Sequence, residues 1–265
     1  MTTTHYAHVN GLDMYYEIHG TGQPLLLLPG AVSGTGTAFG ALIPLLSMHR
    51  QVIAVEFQGY GHTADIPDRP LSFEQFAADV IALLQTLHIE QADIFGYSTG
   101  AGVALLVAMQ QPVLVRRLIL ASITWNSNGR HPGLRELEQL LTVEAMQRTP
   151  YAAEYLSTAP RPQDWPLHLA KVTAFNQQPP NWSADEIRKI TAPALIIAGD
   201  ADIVRPGHVV ELFRLLGGGG IGEFGLPASQ LAILPGTMHT ALTKKTDLLM
   251  AMIPAFLDAE VAVNE

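Results

Sequence analysis

Residues 94–102 read Ile94-Phe95-Gly96-Tyr97-Ser98-Thr99-Gly100-Ala101-Gly102, a Gly-x-Ser-x-Gly pattern entered by an apolar run, Ala92 to Phe95, and left by a helical one, Val103, Leu106, Val107 and Gln110. A strand that turns directly into a helix forces the residue at the turn into a strained conformation. The flanking backbones then come so close that the positions two before and two after it tolerate almost no side chain. Gly96 and Gly100 meet that demand around Ser98. The turn lifts the Ser98 hydroxyl to the top of the sheet, and the new helix aims its unsatisfied N–H groups, beginning at Thr99, at the same point. Such a turn presents a nucleophile beside half of an oxyanion hole. The alternative is a glycine-rich packing turn, and the strand-turn-helix context on both sides favours the nucleophile.

Working outward, buried-strand and helix patterns alternate. Pro24 to Leu28 and Val52 to Val55 are apolar runs of the kind that strands covered on both faces show, with a helix expected between them around Phe39 to Met48. A helix over Phe73 to Leu87 precedes the central strand, and a helix over Ala101 to Gln110 and a strand over Arg117 to Ala121 follow it. Upstream, His5 to Val9 and Leu12 to Ile18 flank Asn10-Gly11, a strong hairpin signal, and are expected at an edge of the sheet. After Pro193 the alternation resumes with strand Ala194 to Ala198, helix Gly207 to Leu216, strand Gln230 to Leu234 and helix Asp247 to Leu257. This is the pattern of an α/β fold, a doubly wound, mostly parallel sheet with helices on both faces.

Between Trp125 and Ile190 the strand signals stop. Helical patterns at Leu134–Leu141, Val143–Met146, Tyr151–Leu156 and Leu167–Phe175 are broken by six prolines, Pro150, Pro160, Pro162, Pro166, Pro179 and Pro180. A helical insertion after the sixth strand reads as a cap over the strand ends. The expected division is a core of residues 1–124 and 191–265 with a cap of residues 125–190.

Composition narrows the class. The chain has 265 residues, 48% of them apolar, enough to bury a substantial core. A net charge of −9 without a basic cluster argues against nucleic acid and anionic membrane surfaces as partners. No apolar run approaches the length of a membrane span and the first residues lack a signal-peptide pattern, so a cytoplasmic protein acting on a small molecule is expected. With no cysteine at all, thiolate catalysis, disulfides and Cys-ligated metals are excluded. No metal and no cofactor is expected: there is no His-Glu-x-x-His and no Gly-Lys-Ser/Thr loop. Gly59-x-Gly61-x-x-Ala64 follows a strand, but a proline-rich stretch stands where a helix should begin. Gly217-x-Gly219-x-x-Gly222 precedes a strand instead of following one.

A serine hydroxyl needs a neighbouring histidine to take its proton and a carboxylate to fix that histidine's tautomer. Among ten histidines, His239 follows the last strand through Pro235-Gly236, at the edge where sites of open parallel sheets gather. His62, also behind a strand end, is the rival. For the acid, Asp200 and Asp202 both follow the strand ending at Ala198. The chain order nucleophile, acid, histidine suits either, while Asp200, directly after Gly199, also suits the structural task of bonding turn amides.

Over nearly its full length the chain resembles the α/β-hydrolase superfamily. That family's Gly-x-x-Asp-x-x-x-Pro is matched by Gly199 to Pro206, which implies Asp202 as the acid. Its His-Gly pair is represented by Pro29-Gly30, which implies the Ala31 N–H as the second oxyanion donor beside Thr99. Its Asp-x-x-Gly-x-Gly-x-Ser loop corresponds to Glu56 through Thr63, with Gln58 in place of the usual Arg. The resemblance implies a serine esterase with Ser98, Asp202 and His239 as its triad. The expected cap supplies Trp125, Tyr151, Tyr155, Trp165 and Phe175 as candidates for the pocket, each with core packing as the alternative role. Lactonases, carbon-carbon bond hydrolases, perhydrolases and non-catalytic binding proteins share the fold.

Overall fold

The structure, a computed structural model, describes residues 2–134, 136 and 142–259. Eight strands form one sheet in the order β1-β2-β4-β3-β5-β6-β7-β8: β1 (Thr2–Val9), β2 (Leu12–His19), β3 (Pro24–Leu28), β4 (Gln51–Val55), β5 (Ala92–Tyr97), β6 (Val115–Ala121), β7 (Ala194–Ala201) and β8 (Gln230–Met238). The β1–β2 and β2–β4 pairs are antiparallel and the other pairs are parallel. The hairpin at Asn10-Gly11 uses positive φ at both residues, 48° and 76°, which matches the twist of the flanking strands.

The period of two along each strand divides the core in two. Leu26, Leu28, Ile94, Leu118, Leu120 and Ile196 face one cluster; Leu25, Leu27, Phe95, Ile119, Leu195 and Ile197 face the other. Helices α3 (Phe73–Thr86), α4 (Thr99–Gln110) and α9 (Pro206–Leu215) cover the first face. The opposite face is covered by α1 (Thr35–Phe39), α2 (Ile43–Leu46) and α10 (Thr246–Asp258). Burial on both faces is why these strands are apolar without alternation. Each fully buried leucine of β3 contributes roughly 2 kcal/mol.

Residues 125–190 contribute no named strand among the described residues and carry α5 (Val143–Met146), α6 (Pro150–Thr158), α7 (Trp165–Asn176) and α8 (Ala184–Arg188). Met146, Ala152, Tyr155, Trp165 and Leu169 form a small cluster of their own, whereas Val172, Phe175 and Ile187 join the larger core beneath. The helix expected over Leu134–Leu141 lies outside the described residues apart from Leu134 and Glu136.

Two expectations need correction. The helix expected over Phe39–Met48 is two short pieces, α1 and α2, with Gly40 to Leu42 between them. Strand β8 does not stop at Leu234. It runs on to Met238 through an irregularity against Gly199–Ala201, so His239 follows the strand directly and not a loop. Helix α8 is additional to the expected helices, and its Ser183–Glu186 capping box is the local signal in the sequence that marks it.

Candidate active site

Ser98 joins β5 to α4 with φ 54° and ψ −115°. An L-residue there costs about 1–3 kcal/mol and persists only where its surroundings over-determine it. Here the surroundings are backbone. A Cβ on Gly96 would collide with the Gly100 carbonyl, and one on Gly100 with the Leu28 carbonyl. The Ser98 N–H donates to the Ala121 carbonyl at 2.8 Å, and its own carbonyl accepts from Ala101 N–H at 3.0 Å, which locks the turn between sheet and helix.

The structure brings Ser98, His239 and Asp202 together. His239 Nε2 stands 3.0 Å from Ser98 Oγ, and His239 Nδ1 stands 2.8 Å from Asp202 Oδ1. A carboxylate at Nδ1 selects the tautomer that carries its proton there, which leaves Nε2 free to accept from the serine hydroxyl. The Asp202 side chain is fully buried. Its Oδ2 accepts from the Ser122 hydroxyl and from Gly199 N–H at 3.4 Å, and its Oδ1 also accepts from Val204 N–H at 3.3 Å. Burial works against the charge, but the bonds from His239, Ser122 and Gly199, together with the charge of His239, outweigh it and hold the carboxyl below its ordinary range. From the other side, the Tyr97 hydroxyl donates to the His239 carbonyl at 2.9 Å. Burial raises the Tyr97 pKa well above its ordinary value, so the donor stays protonated.

Ala31 and Thr99 lie on the wall of the same cavity as Ser98 and His239. Neither N–H donates to another described residue. Both are therefore without a partner among the described residues.

The two rivals are engaged elsewhere. Asp200 Oδ1 accepts from Thr237 N–H at 3.0 Å, and the N–H groups of Gly236 and Thr237 hold its carboxyl below the usual range. That is the turn-binding role. His62 Nδ1 stands 3.0 Å from buried Glu56, whose hydrogen bond raises the His62 pKa, and the ring stacks on Tyr15 at 4.1 Å. It does not line the cavity.

A sequence model described as the alpha/beta hydrolase fold matches residues 23–161, more than half of the chain. The chain belongs to the alpha/beta hydrolase family. Mouse serine hydrolase BPHL is 26% identical over 265 residues, spanning 94% of this chain and 84% of that protein. The 2-hydroxymuconate semialdehyde hydrolase of a Pseudomonas species is 32% identical over 143 residues, 49% of this chain and 50% of that one. Among solved structures, the enol-lactonase from Burkholderia xenovorans superposes with a TM-score of 0.72 at 21% identity, covering 96% of this chain and 100% of that chain. The chain is thus a hydrolase with this fold.

The cavity of this hydrolase measures about 580 Å³. Its wall is mainly apolar, with Val32, Phe73, Val172 and Met238 contributing, and carries Arg130, Asn176 and Gln178 as polar members. Of the five candidate pocket residues, Tyr151 and Phe175 line it. The other three do not. Trp125 is buried in the larger core, stacked on His208 at 5.1 Å, and Tyr155 and Trp165 pack around His168 within the small cluster of residues 146–169. An aromatic residue in a short helix fills whichever interior its helix face meets, and the sequence shows the helix but not the facing interior. Ser122 and Tyr97 escaped the sequence reading. Ser122 had a signal, since it directly follows β6 at the edge where the site gathers. Where the family's Arg is replaced, Gln58 Nε2 donates to Asp65 Oδ1 at 2.8 Å, and Lys171 of α7 reaches the same carboxylate at 2.7 Å. No helix among the described residues is long and apolar enough to cross a membrane, and no group of three or more His, Asp or Glu among them stands together as a metal site.

Proposed function

We propose that this hydrolase cleaves a carboxylic ester-like bond of a small, partly apolar substrate through an acyl-enzyme on Ser98. One observation carries the reading: the unbroken series of contacts from Ser98 Oγ to His239 Nε2 at 3.0 Å and from His239 Nδ1 to Asp202 Oδ1 at 2.8 Å. Ser98 Oγ attacks the carbonyl carbon while its proton passes to His239 Nε2, and buried Asp202 stabilises the imidazolium so formed. The carbonyl oxygen, now anionic, accepts from the N–H groups of Ala31 and Thr99, and each such donor contributes about 3–4 kcal/mol in measured cases. His239 returns the proton to the leaving oxygen as the carbon–oxygen bond breaks. Water then repeats the sequence on the acyl-enzyme and frees the acid. Residues 125–190 act as the cap, with Tyr151 and Phe175 shaping the acyl or leaving-group side.

The test is a panel of p-nitrophenyl esters and lactones of graded chain length, run on the wild type and on Ser98→Ala. Turnover by the wild type and a loss on the order of 10⁶ in kcat for the variant are expected. Ser98→Ala retaining more than about a tenth of the activity would exclude Ser98, and turnover of lactones alone would move the reading to a lactonase.

A further inference from the structure

The five-residue helix α1 has Gly34 at its N-cap, a residue that offers no side-chain cap. Its unsatisfied N–H groups are met by two carboxylates from elsewhere in the chain. Glu56, behind β4, accepts from Thr35 N–H at 3.1 Å. Glu154, in α6, accepts from Gly34 N–H at 2.9 Å, from Thr37 N–H at 3.0 Å and from the Thr37 hydroxyl. Gly34 and Thr37 thus hold a residue 120 positions away from Gly34. The Gly34-x-Gly36 pair is shaped to that carboxylate: a Cβ at Gly34 would stand 2.8 Å from the Glu154 carboxyl carbon, and one at Gly36 would stand 2.7 Å from its Oε1. Any larger residue at either position would push Glu154 away.

The segment held in this way ends the loop that carries Ala31. Between them lies Val32 at φ 59°, a conformation that a β-branched residue adopts only when held there. Val32 packs both against the small cluster formed by α5, α6 and α7 and against the larger core, where it joins the two. One turn before Glu154, on the same face of α6, Tyr151 lines the cavity. A single helix of the inserted segment therefore grips the loop through Glu154 and shapes the pocket through Tyr151.

We infer that Glu154 is a positioning residue that couples the docking of α6 to the placement of the Ala31 N–H, so that the oxyanion hole is complete only when the cap is seated. This rests on Ala31 serving as an oxyanion donor in the proposed reaction. Releasing the loop lets Val32 relax from its strained conformation and turns the Ala31 N–H away from the developing anion. Substrate binding, which depends mostly on the rest of the apolar wall, Phe73, Val172 and Met238 among it, is left largely in place. The signature is a loss in kcat and not in KM.

The experiment compares the wild type, Glu154→Ala, Glu154→Gln and, as a control on an exposed carboxylate of the same segment, Glu144→Ala. Steady-state kinetics on a short-chain p-nitrophenyl ester are combined with amide hydrogen exchange read peptide by peptide. Glu154→Ala should lower kcat by roughly 10- to 100-fold, the scale for a catalytic group displaced by about 1 Å, with KM within about threefold. Exchange should accelerate across residues 30–37 while β5 and α4 keep their wild-type protection. Glu154→Gln, which retains one acceptor oxygen, should fall between Ala and wild type, and Glu144→Ala should match wild type. Unchanged exchange at residues 30–37, or a loss confined to KM, overturns the inference. A wild type that turns over no acyl substrate removes the hydrolytic reading and the positioning role together. An active wild type beside a Glu154→Ala variant with undiminished kcat removes the positioning role alone.

Discussion

In the proposed reaction, replacing Asp202 with Asn tests how the base His239 is oriented, because the change keeps shape and removes only charge and one acceptor. In the wild type Oδ1 takes the His239 Nδ1 proton at 2.8 Å and the Val204 N–H at 3.3 Å, while Oδ2 takes the Ser122 hydroxyl and the Gly199 N–H at 3.4 Å. An asparagine has one acceptor oxygen for these two sides. With its amide nitrogen toward His239, it donates to Nδ1, drives the ring proton to Nε2 and points that proton at Ser98 Oγ, so the base is lost. With its nitrogen toward Gly199, it keeps the tautomer, but faces the fixed Gly199 N–H with another donor and no longer balances the imidazolium charge. Either arrangement removes what the transition state needs. The expected fall in kcat is on the order of 10⁴, equivalent to roughly 5 kcal/mol of activation free energy. Asp200→Asn, which alters only the turn at Gly236–Thr237, should cost less than about tenfold. Steady-state hydrolysis of one p-nitrophenyl ester by both variants, with circular dichroism to verify folding, gives the comparison. If Asp200→Asn is the more damaged of the two, the argument from the buried carboxylate is wrong.

Further outcomes follow from neighbouring contacts. His239→Ala should be folded and almost inactive at every pH. His62→Ala should keep the acid limb of the wild-type kcat/KM profile, since the His62 ring is held by Glu56 and Tyr15; an inactive His62→Ala would reassign the base. Burial lowers the pKa of His168 to about 4, whereas an unfolded histidine titrates near 6.5. Between those values the unfolded chain binds a proton that the folded chain does not, so stability falls as pH drops from about 6.5 towards 4, by at most roughly 3 kcal/mol for this group. His168→Phe should flatten the Tm-against-pH curve over that window, leaving the share of His208, also lowered to about 4; an unaltered slope would sink the argument. Lys171→Met removes the bonds to Asp65 at 2.7 and 2.9 Å and to the Ile66 carbonyl at 2.8 Å. Differential scanning calorimetry should show a loss of about 2 kcal/mol, or a fall in Tm of about 4–8 °C, and an unchanged Tm counts against this tie between α7 and the core.

The sheet was legible because its strands are buried on both faces. Leu25 to Leu28 and Val52 to Val55 advertise themselves as unbroken apolar runs, and Asn10-Gly11 marks its own hairpin. Ser98 was legible for a related reason, since the steric demand of its turn is written into Gly96 and Gly100. What the sequence hid is non-local. Helix α1 starts at Thr35, not near Phe39, because Glu56 and Glu154 satisfy its first N–H groups, and no residue adjacent to Gly34 announces them. Strand β8 continues past Pro235 because pairing resumes between Ala201 and Met238 after an irregularity, whereas Pro-Gly read alone signals a stop. Tyr151 and Tyr155 differ by one helical turn, yet one meets the cavity and the other His168. Only the packing of α6 on its neighbours decides between them.

The claim on which the rest depends is that Ser98 is a nucleophile activated by His239. Incubating the protein with a fluorophosphonate and mapping the adduct by mass spectrometry tests it directly, because the phosphonyl group transfers only to an activated hydroxyl held beside oxyanion donors. One adduct per chain on Ser98, slowed by orders of magnitude in His239→Ala and absent in Ser98→Ala, is the expected result. A folded wild-type protein that stays unlabelled, or a label carried by a different serine, contradicts it.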